Sequence, residues 1–296
     1  MRIFEKWMIW AVSEGFARAF NGMMAKIIGG LSRTISQFYV VILIIGIVQG
    51  SIGFFVSRVR GVNLFPNRTS IFGCISFGIM AVILTSVTFT VFMLGGSISM
   101  FVFIISLSII PGAIIDRIFF KYKLNKLQWL GVGVGLFGAY AMLNFPSIST
   151  LRNLPLWVGI AFVNAIGVSV NQGITKKIKD VDPFVKNFWV GITTFLISLT
   201  VLFVLKEYGK DMPVKFFIIP WILGAGTFFL VLANLMSYKR GANMAVKNLI
   251  DRSSYLIFGT LGGIFFFGEK LFIGQGIGIV CYFIALYLMT NNKEII

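Results

Sequence analysis

The sequence predicts an all-α integral membrane protein of ten transmembrane helices, arranged as two inverted five-helix repeats with both termini in the cytoplasm. Three observations carry this. Of 296 residues, 57% are hydrophobic and only 12% charged, with a mean hydropathy of +0.92; soluble domains carry about a quarter charged residues. Apolar stretches recur along the whole chain, separated by charged or Pro- and Gly-containing breaks. The two halves resemble each other when offset by about half the length.

The apolar stretches fall at 4–25, 36–57, 69–91, 95–115, 127–145, 154–174, 184–205, 214–236, 243–267 and 272–290. A span needs about 20 apolar residues, so ten of them use most of the chain and leave little for an attached catalytic or nucleic-acid-binding module. The excess of 26 Lys and Arg over 10 acids, a formal charge of +16, would suggest a polyanionic partner in a soluble chain. In a membrane protein it reports orientation, because cytoplasmic loops are enriched in Lys and Arg. With the N-terminus inside, alternating the loops puts sixteen cations on the inner side, among them Arg58, Arg60, Arg117, Lys176, Lys186 and Arg240, and seven on the outer side. The N-terminal stretch has the basic start of a signal peptide, but Glu14 and Arg18 interrupt its apolar run. Cys74 and Cys281 sit inside apolar runs and read as packing residues, and the absence of His removes the commonest metal ligand.

The duplication is read at two registers. At an offset of 150, Trp7, Ala11, Glu14, Asn21 and Lys26 fall on Trp157, Ala161, Asn164, Asn171 and Lys176. At an offset of 147, Lys123, Leu124, Gln128, Gly131, Tyr140 and Met142 fall on Lys270, Leu271, Gln275, Gly278, Tyr287 and Met289. The repeats are then 1–148 and 149–296, together one membrane domain. Five spans per half is an odd number, so the second copy enters the membrane from the opposite side; in such folds the substrate site lies near the midplane where the repeats meet.

The stretch from Pro111 to Leu143 and that from Gly259 to Met289 resemble the paired EamA-type signature of the drug/metabolite transporter superfamily: a small-residue helix, Gly-Glu, a short turn, Gln and a Gly-rich final helix. In the second half it is carried by Gly268, Glu269, Gln275, Gly276 and Gly278. In the first half the position matching Glu269 is Tyr122, so Glu269 reads as a structural residue at a helix junction. The resemblance implies a ten-helix secondary carrier of small metabolites or amphipathic drugs, often an exporter, and names no particular substrate.

Ionisable residues deep in a span cost about 2.5 to 3.5 kcal/mol each on insertion scales and normally face the bundle interior. Five such groups stand out: Glu14 and Arg18 in the first span and Lys247, Asp251 and Arg252 in the ninth. Trp7, Ala11, Glu14, Arg18, Asn21 and Ala25 recur at i+3 and i+4 and share one face of a helix. Lys247, Asp251, Ser254 and Tyr255 likewise share a face, with Arg252 turned about 100° from Asp251. Asn164 and Asn171 lie on one face of the sixth span. Glu14, Arg18, Asn21, Asn164, Asn171, Lys247, Asp251, Arg252 and Tyr255 are therefore the expected substrate-binding residues. A structural reading stands beside this one, with the charges as internal i, i+4 salt bridges, Glu14 with Arg18 and Lys247 with Asp251; the two are compatible.

The expected function is secondary transport of a small polar or zwitterionic, amino-acid-like metabolite across the inner (cytoplasmic) membrane, in the direction of export, with a carboxylate or other anionic group met by Arg18, Lys247 or Arg252. Proton coupling through Glu14 or Asp251 is a second hypothesis. No GxxxxGK[ST] loop occurs, so the energy comes from gradients, and no cofactor, metal or nucleic acid is called for. The rivals are an exporter of amphipathic drugs or lipid-linked intermediates and a membrane-embedded enzyme, which without His would need a carboxylate mechanism. Asn67-Arg-Thr69 reads as a chance sequon, Gly131–Gly135 and Gly274–Gly278 as helix-packing glycines, Pro111 and Pro220 as kink sites, and Trp7 and Trp157 as aromatic residues on the polar faces.

Overall fold

A computed structural model describes residues 6–120, 125–142, 145, 154–206, 212–242 and 244–290. Tyr122, Lys123 and Leu124, used in the repeat alignment, lie outside the described residues. The described residues form helices and no strand. In chain order the helices are α1 (Lys6–Leu31), α2 (Ile35–Val59), α3 (Arg68–Met93), α4 (Ile98–Ser106), α5 (Ile109–Phe120), α6 (Lys126–Met142), α7 (Leu156–Lys177), α8 (Pro183–Leu205), α9 (Lys215–Lys239), α10 (Met244–Phe267) and α11 (Ile273–Thr290).

Among the described residues, six segments are long and apolar enough to cross a membrane: α2, α3, the α4–α5 stretch Ile98–Phe119, α7, α8 and α9. Their outward surface fits that solvent, with Phe55, Phe72 and Phe203 each about two thirds or more exposed, and α10 adds Phe265 and Phe266; soluble monomers avoid such a density of bare aromatic surface.

Local signals set the helix ends. Asn67 caps α3 by accepting from the Ser70 N–H at 2.8 Å, so the residue of the formal sequon is used as a helix cap. Asp182 caps α8 with Pro183 in the first turn. Gln128 closes the start of α6, its Oε1 accepting from the Asn125 N–H at 2.9 Å, and Gln275 does the same for α11 with the Phe272 N–H at 3.1 Å. These two glutamines are the pair that the offset of 147 aligns.

The expected span at 95–115 is two helices rather than one. Pro111 has no N–H and its ring crowds the carbonyl four residues back, which is that of Leu107. The chain answers with a tight turn at Leu107–Ser108, where the Ser108 N–H bonds to Ile105 O and the Ile110 N–H to Leu107 O. The Ser169 hydroxyl on α7 donates to Ser108 O at 2.6 Å, tying the break to a neighbouring helix. Pro220 instead lies within a continuous α9.

Packing is densest between α2 and α8 and between α6 and α11, followed by α1 against α10 and α9, α2 against α9, and α3 against α7 and α8. The first contact depends on glycine. A Cβ on Gly191 of α8 would sit 2.3 Å from the Gly50 amide nitrogen of α2, and one on Gly46 would sit 2.6 Å from Phe195 N. At the α1–α10 contact, a Cβ on Gly15 would lie 2.4 Å from Asp251 O. That approach brings the charged face of α1 against the charged face of α10.

Gly191→Ala is expected to destabilise the protein by about 1–3 kcal/mol through overpacking, whereas Gly276→Ala, which meets nothing within 4 Å, leaves it unchanged. Melting of the two variants in the same detergent checks the contrast.

Candidate functional site

Four helices converge on one carboxylate. Glu14, on α1 and fully buried, accepts at Oε1 from Arg18 Nη2 at 2.6 Å, from Asn234 Nδ2 on α9 at 2.7 Å and from Gln172 Nε2 on α7 at 3.1 Å. Its other oxygen lies 2.5 Å from Lys247 Nζ on α10. Gln172 Oε1 in turn accepts from Asn234 Nδ2 at 2.8 Å, Tyr238 OH at 3.0 Å and Lys247 Nζ at 3.0 Å. A desolvated carboxylate is tolerable only with such compensation.

Asp251, also fully buried, lies 3.4 Å from Arg18 Nε, 3.6 Å from Arg252 Nη1 and 4.0 Å from Lys247 Nζ. The i, i+4 pairing read from sequence is present at Glu14–Arg18, but the close partner of Lys247 is Glu14 across the helix interface rather than Asp251 on its own helix. Arg252 is buried, and among the described residues its three nitrogens have no hydrogen-bond acceptor.

Beside this cluster lies a cavity of about 180 Å³. Of the residues expected from sequence, Arg18, Asn21, Asn164, Asn171 and Tyr255 line it, together with Thr88, Thr227 and the rings of Phe77, Phe89 and Phe101. Glu14, Lys247, Asp251 and Arg252 stand behind the wall. Trp7 packs with Ala11, Tyr238 and Ala242, and Trp157 against the main core, so neither lines the cavity.

The cavity wall is a polar surface with defined polarity. The Thr88 hydroxyl donates to Leu84 O at 2.8 Å, so its oxygen must accept from the Asn164 NH₂ group at 2.9 Å. This fixes the amide orientation and leaves Asn164 Oδ1, buried, as an acceptor without a partner among the described residues. Asn21 donates to Thr227 Oγ1 at 3.2 Å between α1 and α9; among the described residues its Oδ1 and that of Asn171 are also unpartnered. Arg18 spends one N–H on Glu14 and one on Asp251, and its side chain keeps 16% exposure, so part of its five-donor fork is open to the cavity.

Gln172, Asn234, Tyr238 and Lys186 belong to the site and were not singled out in the sequence. Asn234 and Tyr238, at i, i+4 inside an apolar span, carried a legible signal. Lys186, counted with the inner loop cations, is fully buried on α8, its Nζ donating to Thr175 Oγ1 at 3.0 Å and standing 3.8 Å from the centre of the Phe77 ring.

Away from this cluster, Glu269 in the turn between α10 and α11 accepts from the Ile98 N–H at 2.7 Å and the Ser99 N–H at 2.9 Å at the start of α4, and pairs with Lys26 of α1. Partial burial alone would raise its carboxyl, but the Lys26 ammonium, the Ser99 hydroxyl and the two backbone N–H groups outweigh it and hold the carboxyl below its ordinary value of 4.5. A depressed folded-state value stabilises the protein above the unfolded value, and that contribution is lost as pH falls through the folded value. Thermal unfolding followed from pH 6 down to pH 3 should therefore show a loss of stability below about pH 4.5 that is smaller in Glu269→Gln.

Breaking one side of the central pair by Lys247→Met is expected to cost about 3–5 kcal/mol. The double variant with Glu14→Gln should lose less than the sum of the two singles, which a double-mutant cycle on unfolding measures.

No family model matches the chain, and no curated protein matches it. Matches to solved structures number 28 chains. One of them, described only as the crystal structure of a protein, is similar with a TM-score of 0.67 over 95% of this chain and 96% of that chain, at 14% identity. At that identity the likeness is one of fold.

Proposed function

We propose that the protein is a secondary transporter of ten membrane spans, built from inverted repeats at 1–148 and 149–296 like the drug/metabolite transporters that its sequence resembles. It moves a small polar or zwitterionic metabolite across the cytoplasmic membrane by alternating access, in the direction of export. The observation that carries this reading is the cavity of about 180 Å³, whose polar lining comes from both halves of the chain: Arg18 and Asn21 from one, Asn164, Asn171 and Tyr255 from the other.

Four further features support it. The helix contacts are reciprocal: α1 packs on α9 as α3 packs on α7, and α2–α8 and α6–α11 are the densest pairs, as a two-fold relation between the halves requires. Asn–Thr pairs bridge the same helix pairs, Asn21 with Thr227 between α1 and α9 and Asn164 with Thr88 between α7 and α3, although the offset of 150 aligns Asn21 with Asn171. The cavity is also smaller than the roughly 300–1,000 Å³ of sites for drug-sized ligands, which favours a small metabolite over an amphipathic drug or a lipid-linked intermediate. Glu14 and Asp251, the carboxylates that an enzyme would need, are tied to cations behind the cavity wall.

The test is solute uptake into sealed proteoliposomes carrying the purified protein, with a panel of labelled amino acids and organic acids. Uptake of chemically unchanged solute is expected, with Arg18→Gln lowering it about tenfold or more, the worth of one charge-assisted hydrogen bond. Recovery of a chemically altered solute would assign the protein to the enzymes instead.

A further inference from the structure

The charges of the buried centre do not balance. Among the described residues, the cations Arg18, Lys186, Lys247 and Arg252 face only two buried carboxylates, Glu14 and Asp251. Both carboxylates are already engaged: Glu14 by Arg18 and Lys247, Asp251 by Arg18, Arg252 and, more distantly, Lys247. Neither lines the cavity, so no acid is available there to receive an ammonium from the cargo. The unmatched charge is cationic.

Lys186 is the cation with the least compensation on the cavity's side of the cluster. Among the described residues it has no carboxylate within ion-pair distance; its partners are the Thr175 hydroxyl and the face of Phe77. An ammonium has three donors, and this one spends a single donor on Thr175. A ring contact and one hydroxyl do not replace a counter-ion for a fully buried charge.

Its position connects it to the cavity. Phe77 itself lines the cavity, so its ring stands between the ammonium and the cavity. Thr175, which holds the ammonium, donates to the backbone carbonyl of Asn171 at 3.1 Å, and Asn171 lines the same cavity. Arg18 supplies the other open cationic donors, while the unpartnered Oδ1 atoms of Asn164 and Asn171 require N–H or O–H donors from whatever binds.

We propose that the cavity takes a small organic anion bearing hydroxyl or amino donors, and that Lys186, reached by displacement of the Phe77 ring, is the second cation beside Arg18 that meets its negative charge. This rests on the transport reading and narrows its substrate class from zwitterions to solutes of net negative charge.

Four probes decide it: glutamate and malate as anions that carry an amino or hydroxyl donor, alanine as the zwitterion and choline as the cation. Each is titrated against the detergent-purified protein by thermal shift and tested for uptake in proteoliposomes. Glutamate or malate should stabilise the wild type and be taken up, and alanine and choline should do neither. Lys186→Met should weaken the anion at least tenfold, Lys186→Arg should retain it, and Thr175→Val, which keeps the charge but frees the amine, should weaken it by a smaller factor. If Lys186→Met does not fold, the ordering of Lys186→Arg above Thr175→Val in anion affinity carries the test. Anion affinity unchanged in Lys186→Met, or equal in the Lys186→Arg and Thr175→Val proteins, would overturn the role of Lys186. Stabilisation and uptake of alanine or choline in place of the anions would overturn the substrate class while leaving transport intact. No uptake of any probe would instead remove the transport reading, and this proposal with it.

Discussion

A single desolvated carboxylate organises this protein. Glu14 has no solvent to hydrate it, so its charge must be met by donors fixed in the protein, and those donors come from four helices: Arg18 on α1, Gln172 on α7, Asn234 on α9 and Lys247 on α10. In water each pairing would be worth little. In a dry, low-dielectric interior the loss of any partner leaves an unmet charge, and the penalty rather than the attraction fixes the geometry. The relative placement of the four helices is thus pinned at one point, and the adjoining cavity has a wall that cannot drift.

Such a point contact would be useless without close backbone approach around it. The glycines at Gly15, Gly46 and Gly191 let helices meet with carbonyl and amide groups nearly touching, the device that replaces the hydrophobic effect where the surrounding solvent is itself apolar. Packing and polarity therefore act in sequence: small residues set the separation, and the short reach of Arg18 and Lys247 to Glu14 follows from it.

Much of this was legible in the chain. The i+3 and i+4 spacing of Trp7, Ala11, Glu14, Arg18, Asn21 and Ala25 marks one side of α1, and in the structure that side faces the interior. The helical character of the apolar runs was equally plain. The break at Leu107–Ser108 was foreshadowed only by Pro111, since proline marks a disturbance and tertiary partners decide whether the helix bends or divides; Pro220 disturbed nothing comparable. Lys186 escaped notice because a cation three residues into a helix reads as a loop charge, and its burial depends on where Phe77 and Thr175 arrive from other helices. Likewise the sequence offered Asp251 as the neighbour of Lys247, and only the approach of α1 to α10 made Glu14 the nearer acid.

The Glu269 contact has a consequence for how the chain is assembled. The first two N–H groups of α4 are satisfied by a carboxylate 171 and 170 residues further along, not by α4's own neighbours alone. While the chain is being synthesised, α4 leaves the ribosome long before its partner exists. Its leading turn is therefore completed only late in biogenesis, once α10 and the turn after it have been made. The first half of the molecule cannot reach its final form by itself.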